Sequence, residues 1–482
     1  MSNALPQLLT LALPETIVGL GICVVLLAGL FSGVRARDVT YMAAMATLAC
    51  AAWGIFAATG AGGVDYISGG AFVVDPLARL LKLFALAAVA VVLVYSRAYM
   101  RDRQFDAGEF YVLVLFALLG ILVMVSSASF LMMYLGLETL SLALYAMVAV
   151  ERDAPLGAEA AIKYFVLGAI ASGCLLYGIS LVYGVTGSVN FAEVAAALAA
   201  APEPPLAAAV GIGFLLVGIA FKFGAVPFHT WVPDVYQGAP ACSTLFIASA
   251  PKIAAFALAM RLLVDGLSVL RADWQPVLLV VGLVSVAGGN LIAIAQTSIR
   301  RMLAYSTVGH VGFILLGFGA GVSDGVDAAL FYTLIYVVMT TAVFGIIILL
   351  SPPGVEADAL DDFRGLNQRS PWFAALMLLI MVSMIGVPPL AGFYAKWWIL
   401  GALLDGGNSL VAIAAVVFSV IGAFYYLRVI RLMYFEDFAG HDQLHSGLDL
   451  RVLLSLNALL VLGLGLFPGG LLELCARVLD SV

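Results

Sequence analysis

All five lysines of this 482-residue chain lie inside hydrophobic stretches: Lys82, Lys163, Lys222, Lys252 and Lys396. Sixteen of the seventeen arginines lie instead in loops or at the ends of such stretches. Arginine stays protonated in proteins, whereas lysine, with an ordinary pKa of about 10.4, can release its proton when it is desolvated. A chain that keeps titratable cations in its apolar segments is suited to proton transfer.

Two further titratable groups lie in apolar segments. Glu138 is the one carboxylate near the middle of a segment, SFLMMYLGLETLSLALYAMVAV, and His310 lies in RRMLAYSTVGHVGF. With a pKa near 6.5, histidine is a natural relay between two lysines. Burying a charge at the centre of a bilayer costs roughly 2.5 to 3.5 kcal/mol. We therefore prefer a proton-transfer role to a packing role for these two residues and for Lys222, Lys252 and Lys396.

Other polar residues have an equally good structural explanation. Lys82 and Lys163 lie within two turns of a predicted helix end, where a lysine can extend its ammonium to the interface. His229 follows a predicted helix break, and capping or loop packing explains it as well as function does. His441 and His445 are four residues apart in a polar loop, but no third ligand is in register, so a solvated loop is favoured over a metal site.

The composition is that of a polytopic α-helical membrane protein. Hydrophobic residues make up 64% of the chain and charged residues 11%, against about 25% charged in soluble domains. The net charge of -7 argues against a nucleic-acid partner. The five cysteines show neither C-x-x-C spacing nor a paired framework, so we expect no iron–sulfur cluster and no disulfide scaffold: Cys23, Cys50, Cys174, Cys242 and Cys475.

At about 20 apolar residues per crossing, the chain divides into fourteen predicted transmembrane segments. No basic region precedes the first, so we interpret it as an uncleaved helix. No soluble domain or lateral extension fits between the segments. The predicted boundaries are 8–31, 41–60, 73–98, 109–127, 129–150, 158–185, 206–227, 243–265, 276–297, 301–321, 327–350, 371–402, 409–434 and 451–473.

Segments 7 and 12 are interrupted in a similar way, by AFKFGAVPFHTWVPDVYQGAP and MIGVPPLAGFYAKWW. Proline removes a backbone donor, and free carbonyls at membrane depth require a polar cavity or protein partners. Lys222 lies five residues before Pro227, and Lys396 lies seven after Pro389. Paired breaks indicate inverted repeats with functional sites at the breaks. Similar intervals, from Glu138 to Lys222 and from His310 to Lys396, agree with this division.

The predicted domains follow from these repeats. Residues 1–108 hold the first three helices, 109–265 the first five-helix repeat, 276–435 the second, inverted repeat, and 451–482 the last helix.

The arginines predict the orientation, because cytoplasmic loops are enriched in basic residues. Thirteen arginines follow odd-numbered segments, whereas the opposite side holds Arg261, Arg271 and Arg477. With an even number of crossings, both termini should face the periplasm of a bacterial inner membrane. Asp75 and Arg79 are four residues apart and should neutralise each other.

The chain shows no nucleotide-binding sequence. No G-x-x-x-x-G-K-[ST] is present, and the glycines at 317, 319 and 321 follow no strand. The energy source for transport must therefore lie outside this chain.

These segments resemble those of the antiporter-like membrane subunits of proton-pumping NADH:quinone oxidoreductase, respiratory complex I. The similarity spans nearly the whole chain and is most specific in FKFGAVPFHTWVPDVYQGAP, whose DVYQGAP end is typical of the subunit N branch. Lysine rather than glutamate at 396 separates the chain from the subunit M branch, and the lack of a long lateral helix separates it from subunit L. The resemblance implies fourteen helices, two inverted five-helix repeats and functional roles for Glu138, Lys222, Lys252 and Lys396.

The resemblance also implies partners and cofactors. Subunit M and the small subunit K would adjoin this chain, and FMN, iron–sulfur clusters and quinone would be held by other subunits, with no cofactor or metal in this one. It assigns no role to Arg79 or Lys82.

Our hypothesis is that Glu138 and Lys222 form a switchable pair. At about 7 Å and an effective dielectric near 20, two unit charges interact by roughly 2.4 kcal/mol, comparable with about 2.3 kcal/mol for one charge crossing 100 mV. Separating the pair would send a proton past Lys252 and His310 to Lys396. The alternatives are a subunit of a multisubunit cation/proton antiporter, which shares the buried charges, and a structural membrane spacer without a proton path.

Overall fold

The computed structural model describes residues 11–33, 36–57, 64–67, 69–103, 107–151, 153–201, 205–351, 356–437 and 447–481. Within these ranges, thirteen helices or continuous helical runs are long and apolar enough to span a membrane. The remaining predicted segment, 371–402, is a pair of shorter helices separated by a break. The predicted all-α polytopic membrane fold is confirmed.

The helices of the first half include one short helix between the sixth and seventh predicted segments and three pieces that follow the first break. They are α1 Leu13–Phe31, α2 Ala36–Ala57, α3 Pro76–Asp102, α4 Ala107–Val125, α5 Phe130–Val148, α6 Pro155–Thr186, α7 Phe191–Ala200, α8 Leu206–Phe223, α9 Trp231–Gly238, α10 Ala241–Ala248 and α11 Pro251–Ala259, which continues as a π-helix, Met260–Gly266. Two short antiparallel strands, β1 Asp65–Ile67 and β2 Phe72–Val74, precede α3.

The second half has the same kind of succession. Its helices are α12 Arg271–Ile294, α13 Ile299–Gly319, α14 Ser323–Leu349, the single turn α15 Leu366–Arg369, α16 Pro371–Ile385, α17 Ala391–Asp405, α18 Ser409–Phe435, α19 Leu448–Leu466 and α20 Pro468–Leu479, with 3₁₀ turns at Ser268–Leu270 and Leu360–Phe363. The run Ala241–Gly266 and helices α13 and α14 are almost wholly buried, whereas only a third or less of α1, α18 and α19 is buried. The centre of the bundle therefore lies around α10, α11, α13 and α14.

Four predicted boundaries were wrong for identifiable reasons. Residues 73–74 belong to β2, because Asp75 caps the next helix by accepting a hydrogen bond from the Ala78 amide. The connection 186–205 contains α7. Segment 8 divides at 249–250, before Pro251, and segment 14 divides before Pro468. Proline lacks the amide that would continue a helix, so it stands at the start of each new piece.

The loops before α5 and α13 make the same backbone contacts. Ser129 pairs with Asn190, and Ser298 pairs with Ala359, in isolated antiparallel bridges. Both members of the second bridge lie 169 residues after those of the first (129 to 298 and 190 to 359). Each serine also caps its helix through its side chain. Five crossings separate the two serines, so the equivalent loops lie on opposite faces of the membrane.

Helix packing repeats with the same offset. A Cβ on Gly120 would lie 2.7 Å from the Gly136 oxygen and 2.5 Å from the Leu140 nitrogen. A Cβ on Gly289 would lie 2.6 Å from the Tyr305 oxygen and 2.5 Å from the Gly309 nitrogen. Both pairs of helices approach closely because glycine has no side chain at the crossing. These equivalences support the predicted inverted repeats, but they place His310 at the position of Ser141 rather than of Glu138.

Candidate functional site

The two predicted breaks are present and are built alike. Helix α8 ends at Gly224 (φ 78°) and α16 at Gly386 (φ 92°), both in the left-handed conformation that terminates helices. The prolines that follow, Pro227 and Pro389, are both preceded by cis peptide bonds. The last carbonyls of α8 and α16 therefore point out of the helical ladder and need other partners.

Lysine side chains supply those partners. The Lys252 Nζ donates a hydrogen bond to the Phe223 oxygen at 2.8 Å. The Lys396 Nζ donates to the Ile385 oxygen at 2.8 Å and to the Met384 oxygen at 3.1 Å. Phe223 and Ile385 each directly precede the glycine that ends the helix. A lysine ammonium thus lies at the same position of both breaks.

Lys222 lies one residue from this carbonyl and is 9% exposed. Its Nζ donates to the Ser141 Oγ at 2.9 Å. Glu138 lies three residues before Ser141 on α5, and its carboxylate accepts a hydrogen bond from Ser172. Within the described part of the chain, Glu138 and Lys222 form no direct ion pair. The two charges lie on adjoining helices, each held by a serine.

His310 is buried between two tyrosines. Its Nδ1 lies 2.7 Å from the Tyr332 hydroxyl, and its Nε2 lies 3.0 Å from the Tyr426 hydroxyl. Tyr426 in turn hydrogen-bonds Ser306. His310 is therefore held by hydroxyls that can either donate or accept a proton, and not by a backbone carbonyl.

A small polar cavity joins His310 to Lys396. Besides these two, Asn290, Ser419, Tyr425 and Tyr426 contribute to its wall. About 10 Å³ of it can hold the centre of a water molecule, which is room for about one water. The Lys396 Nζ also donates to the Ser419 Oγ at 2.8 Å. The two titratable groups therefore line one cavity.

The row of titratable groups described above consists of Glu138, Lys222, Lys252, His310 and Lys396. Two other predicted site residues, Lys163 and His229, lie away from this row. The side chain of Lys163 is 46% exposed and forms ion pairs with Glu159 at 2.8 Å and Asp234 at 2.9 Å. His229 lies in the turn after the first break, where it is half-buried in an edge-to-face contact with the ring of Tyr305. Its Nδ1 is buried and has no hydrogen-bond partner among the residues that the structure describes.

The predicted Asp75–Arg79 pair was wrong. Asp75 is paired with Arg261 at 2.6 Å, and Arg261 also pairs with Asp265 at 3.0 Å. Arg261 is therefore buried in the π-helix and does not lie in a loop. The π-helical turn places its guanidinium next to Asp75 at the start of α3. This contact between distant parts of the chain could not be predicted from the four-residue spacing of Asp75 and Arg79. Lys82 is likewise buried and pairs with Glu15 at 2.6 Å.

The hydroxyl groups of the site were missed by the sequence interpretation. Serine, threonine and tyrosine are common in membrane helices, so their types carry no signal, and only the contacts reveal them. They are Ser141, Ser172, Tyr332, Ser419 and Tyr426.

Across the ranges that the structure describes, no group of three or more His, Cys, Asp or Glu side chains could hold a metal ion. His441 and His445 lie outside those ranges.

Comparison with known proteins supplies the relatives of this chain. The sequence model of the family described as NADH:quinone oxidoreductase/Mrp antiporter, TM, matches residues 127–422. NADH-quinone oxidoreductase subunit N of Thioalkalivibrio sulfidiphilus is 52% identical over 471 residues, covering 97% of this chain and 98% of the relative. Together, these two matches show the family at the level of sequence.

Two solved structures share the fold. One chain of respiratory complex I from Thermus thermophilus with bound aureothin has a TM-score of 0.81 and 32% identity, covering 96% of this chain and 99% of that one. A chain of the Mrp complex from Dietzia sp. DQ12-45-1b, at 22% identity and a TM-score of 0.80, covers 98% of this chain and 97% of that one, and shows the fold alone. The chain therefore belongs to the NADH:quinone oxidoreductase/Mrp antiporter family of membrane proteins, and its full-length relatives at about half identity are NADH-quinone oxidoreductase subunits N.

Proposed function

We propose that this chain is a proton-translocating membrane-arm subunit of NADH:quinone oxidoreductase, in which Glu138, Lys222, Lys252, His310 and Lys396 carry the proton. The observation that supports these roles best is the lysine ammonium at the equivalent carbonyl of each helix break. A carbonyl accepts a hydrogen bond from either an ammonium or a neutral amine, so the lysine can change its protonation state without leaving the backbone group unpaired.

The proposed transfer runs along the row of buried groups. A change in the surroundings of Glu138 weakens its attraction for Lys222, and the Lys222 proton passes to Lys252, whose ammonium holds the neighbouring carbonyl. His310 receives the proton next and passes it through the small cavity to Lys396. Lys396 then releases it to the opposite side of the membrane. The serines and tyrosines that hold these groups orient them and exchange hydrogen bonds as each charge moves.

The neighbours of this chain in the complex are proposed to be subunits M and K. Glu138, Tyr134 and Ser172 are only half-buried, although Glu138 lies near the middle of α5. A carboxylate facing lipid at that depth is costly. A neighbouring subunit over this face of α5 and α6 would cover the carboxylate and could alter its charge environment. Lys163 and His229 are assigned lesser roles in proton entry.

Both termini are proposed to lie in the periplasm. The described arginines support this orientation, because the loops after odd-numbered segments remain the arginine-rich ones. Arg300, Arg301 and Arg364 lie on this face in ion pairs with Asp358, Asp234 and Asp361.

The redox chemistry is assigned to partner subunits. FMN, iron–sulfur clusters and quinone would supply the energy there, and this chain is proposed to hold none of them. A multisubunit cation/proton antiporter remains the alternative, since the family description includes it. The full-length relatives at about half identity favour the first assignment.

Purification of the native complex tests the proposal. We expect flavin and iron–sulfur proteins to co-purify with this chain, with NADH-driven proton uptake that does not require Na⁺. A complex without flavin whose proton movement depends on Na⁺ would support the antiporter instead.

A further inference from the structure

A wide cavity opens on the arginine-rich face, separate from the row of buried lysines. About 770 Å³ of it can hold the centre of a water molecule. Five carboxylates line it: Glu356, Asp358, Asp361, Asp362 and Glu436. Burial raises the pKa of Asp362, which lies in the loop outside the membrane segments. Arg364, Arg428 and Arg431 share this wall, so the cavity gives water access to a charged surface on which Asp362 can take up a proton.

Gln237 of α9 forms part of the inner wall. Its Nε2 donates to the Asp358 Oδ2 at 3.1 Å, and its Oε1 accepts from Arg301 at 3.3 Å. The cavity thus reaches the second half of the first broken helix. The residue before Gln237 is Tyr236, which is fully buried and makes an edge-to-face contact with the ring of Phe344 on α14.

Within the described chain, the Tyr236 hydroxyl is buried and makes no hydrogen bond of normal geometry, and the hydroxyls of Tyr336 and Thr307 are among its polar neighbours. Leaving a buried hydroxyl unpaired costs about 1 to 3 kcal/mol, so such a group in a native core calls for an explanation. Packing alone would be served equally well by phenylalanine. If the Tyr236 hydroxyl alternates its hydrogen bond between Tyr336 and Thr307, this would explain why tyrosine stands here and why one fixed hydrogen bond is missing.

The two neighbours continue toward His310. Tyr336 donates to the Thr307 Oγ1 at 2.8 Å. The rings of Tyr336 and His310 lie 5.4 Å apart between centroids. Thr307 precedes His310 by three residues on α13, and Tyr332, which hydrogen-bonds His310, precedes Tyr336 by four on α14. Buried hydroxyls therefore occupy the space between α9 and the histidine.

We propose that Tyr236, Tyr336 and Thr307 form a hydroxyl relay that supplies protons from the cavity on the arginine-rich face to His310. Each hydroxyl accepts a proton from one neighbour as it gives its own to the next, and the last transfer reaches the His310 Nδ1 through the Tyr332 hydroxyl that hydrogen-bonds it. Only O–H and N–H bonds change, and every hydroxyl ends with one proton. His310 is thereby loaded from the arginine-rich face as well as from Lys252. This inference rests on the proposed function, because it needs His310 to carry protons.

Tyr236→Phe and Tyr336→Phe test the relay, since each removes one hydroxyl and keeps the ring. Tyr95→Phe is the matched control: Tyr95 is equally buried, and its hydroxyl bonds Asn457 outside the relay. All three are measured in the assembled complex, in inverted membrane vesicles whose outer side is the arginine-rich face. NADH oxidation with an artificial acceptor reports assembly, and proton uptake reports pumping.

We expect Tyr236→Phe and Tyr336→Phe to lower proton uptake by about tenfold, less than the 10²- to 10⁴-fold of a direct acid–base group, with assembly and Tyr95→Phe unchanged. The deficit should grow as the pH of the medium rises, because proton capture then becomes limiting, whereas a packing defect would be independent of pH.

Unchanged proton uptake in both variants, or a loss independent of pH, would overturn the relay. Lys396→Met, measured beside them, separates the two proposals. If Lys396→Met loses proton pumping while Tyr236→Phe and Tyr336→Phe pump normally, only the relay is rejected. If Lys396→Met pumps fully, the proposed function is rejected.

Discussion

Replacement of Lys222 distinguishes a proton carrier from a structural cation. Lys222→Arg keeps a positive charge beside Ser141 but cannot release a proton, because arginine stays protonated. Lys222→Met keeps a similar length of apolar chain and removes both charge and proton. If Lys222 carries protons, both variants should lose pumping, whereas a purely electrostatic role would be restored by arginine.

The energetic cost to the fold is small. Among the described residues, the Lys222 Nζ makes one hydrogen bond, to Ser141, and Ser141 also donates to the Leu137 oxygen at 2.6 Å. Removing the ammonium loses a charged hydrogen bond of about 1.5 to 3 kcal/mol but also removes a burial cost of about 2.5 to 3.5 kcal/mol. These nearly cancel, so Lys222→Met should assemble, while pumping falls by the 10²- to 10⁴-fold typical of a lost proton-transfer group.

The assay follows proton translocation in membrane vesicles beside NADH oxidation with an artificial acceptor. Lys82→Arg is the control: Lys82 is also buried, but its ion pair with Glu15 survives the substitution, so pumping should persist. Full pumping by Lys222→Arg with an unchanged pH profile would refute the carrier role.

The other predictions concern topology, the histidine and the π-helix. A reporter enzyme that works only in the periplasm should be active when it is fused after Val482. Activity of a reporter that works only in the cytoplasm would show that the orientation is the opposite one. His310→Phe should abolish pumping with normal assembly, because it breaks the link to Lys396, and retained proton uptake would exclude His310 from the path. Arg261→Met should destabilise the complex by about 3 to 5 kcal/mol, because it leaves the buried Asp75 charge without its partner. Adding Asp75→Asn should restore most of the lost stability, as measured by thermal unfolding. If stability does not recover, the loss of this ion pair is not the cause.

Composition and proline placement were enough to predict the crossings and both breaks. The apolar runs are long, and Pro227 and Pro389 interrupt them where the helices end. The break before Pro251 was missed because apolar residues continue on both sides of it, from Leu245 to Ala248 and from Ile253 to Met260, so the hydropathy of the segment as a whole stays high.

The titratable residues of the site stood out because charge is rare in these segments. Their partners did not, since hydroxyls and backbone carbonyls have no distinctive pattern in sequence. The pairing of Asp75 with Arg261 joins α3 to a π-helix, and a distance of 186 residues along the chain cannot be inferred from local spacing. The equivalence of His310 with Ser141 likewise required the loop bridges and glycine contacts.

The matching bridges at Ser129 and Ser298 have a consequence for the origin of the chain. A duplicated unit with an odd number of crossings is inserted upside down when its second copy follows the first, without any change to its sequence. Five crossings lie between the two bridges. A single ancestral unit would then have had to insert into the membrane in both orientations, so that two copies could pair. Fusion of two copies would have fixed one copy in each orientation. Later divergence of the halves explains why histidine stands in one where serine stands in the other.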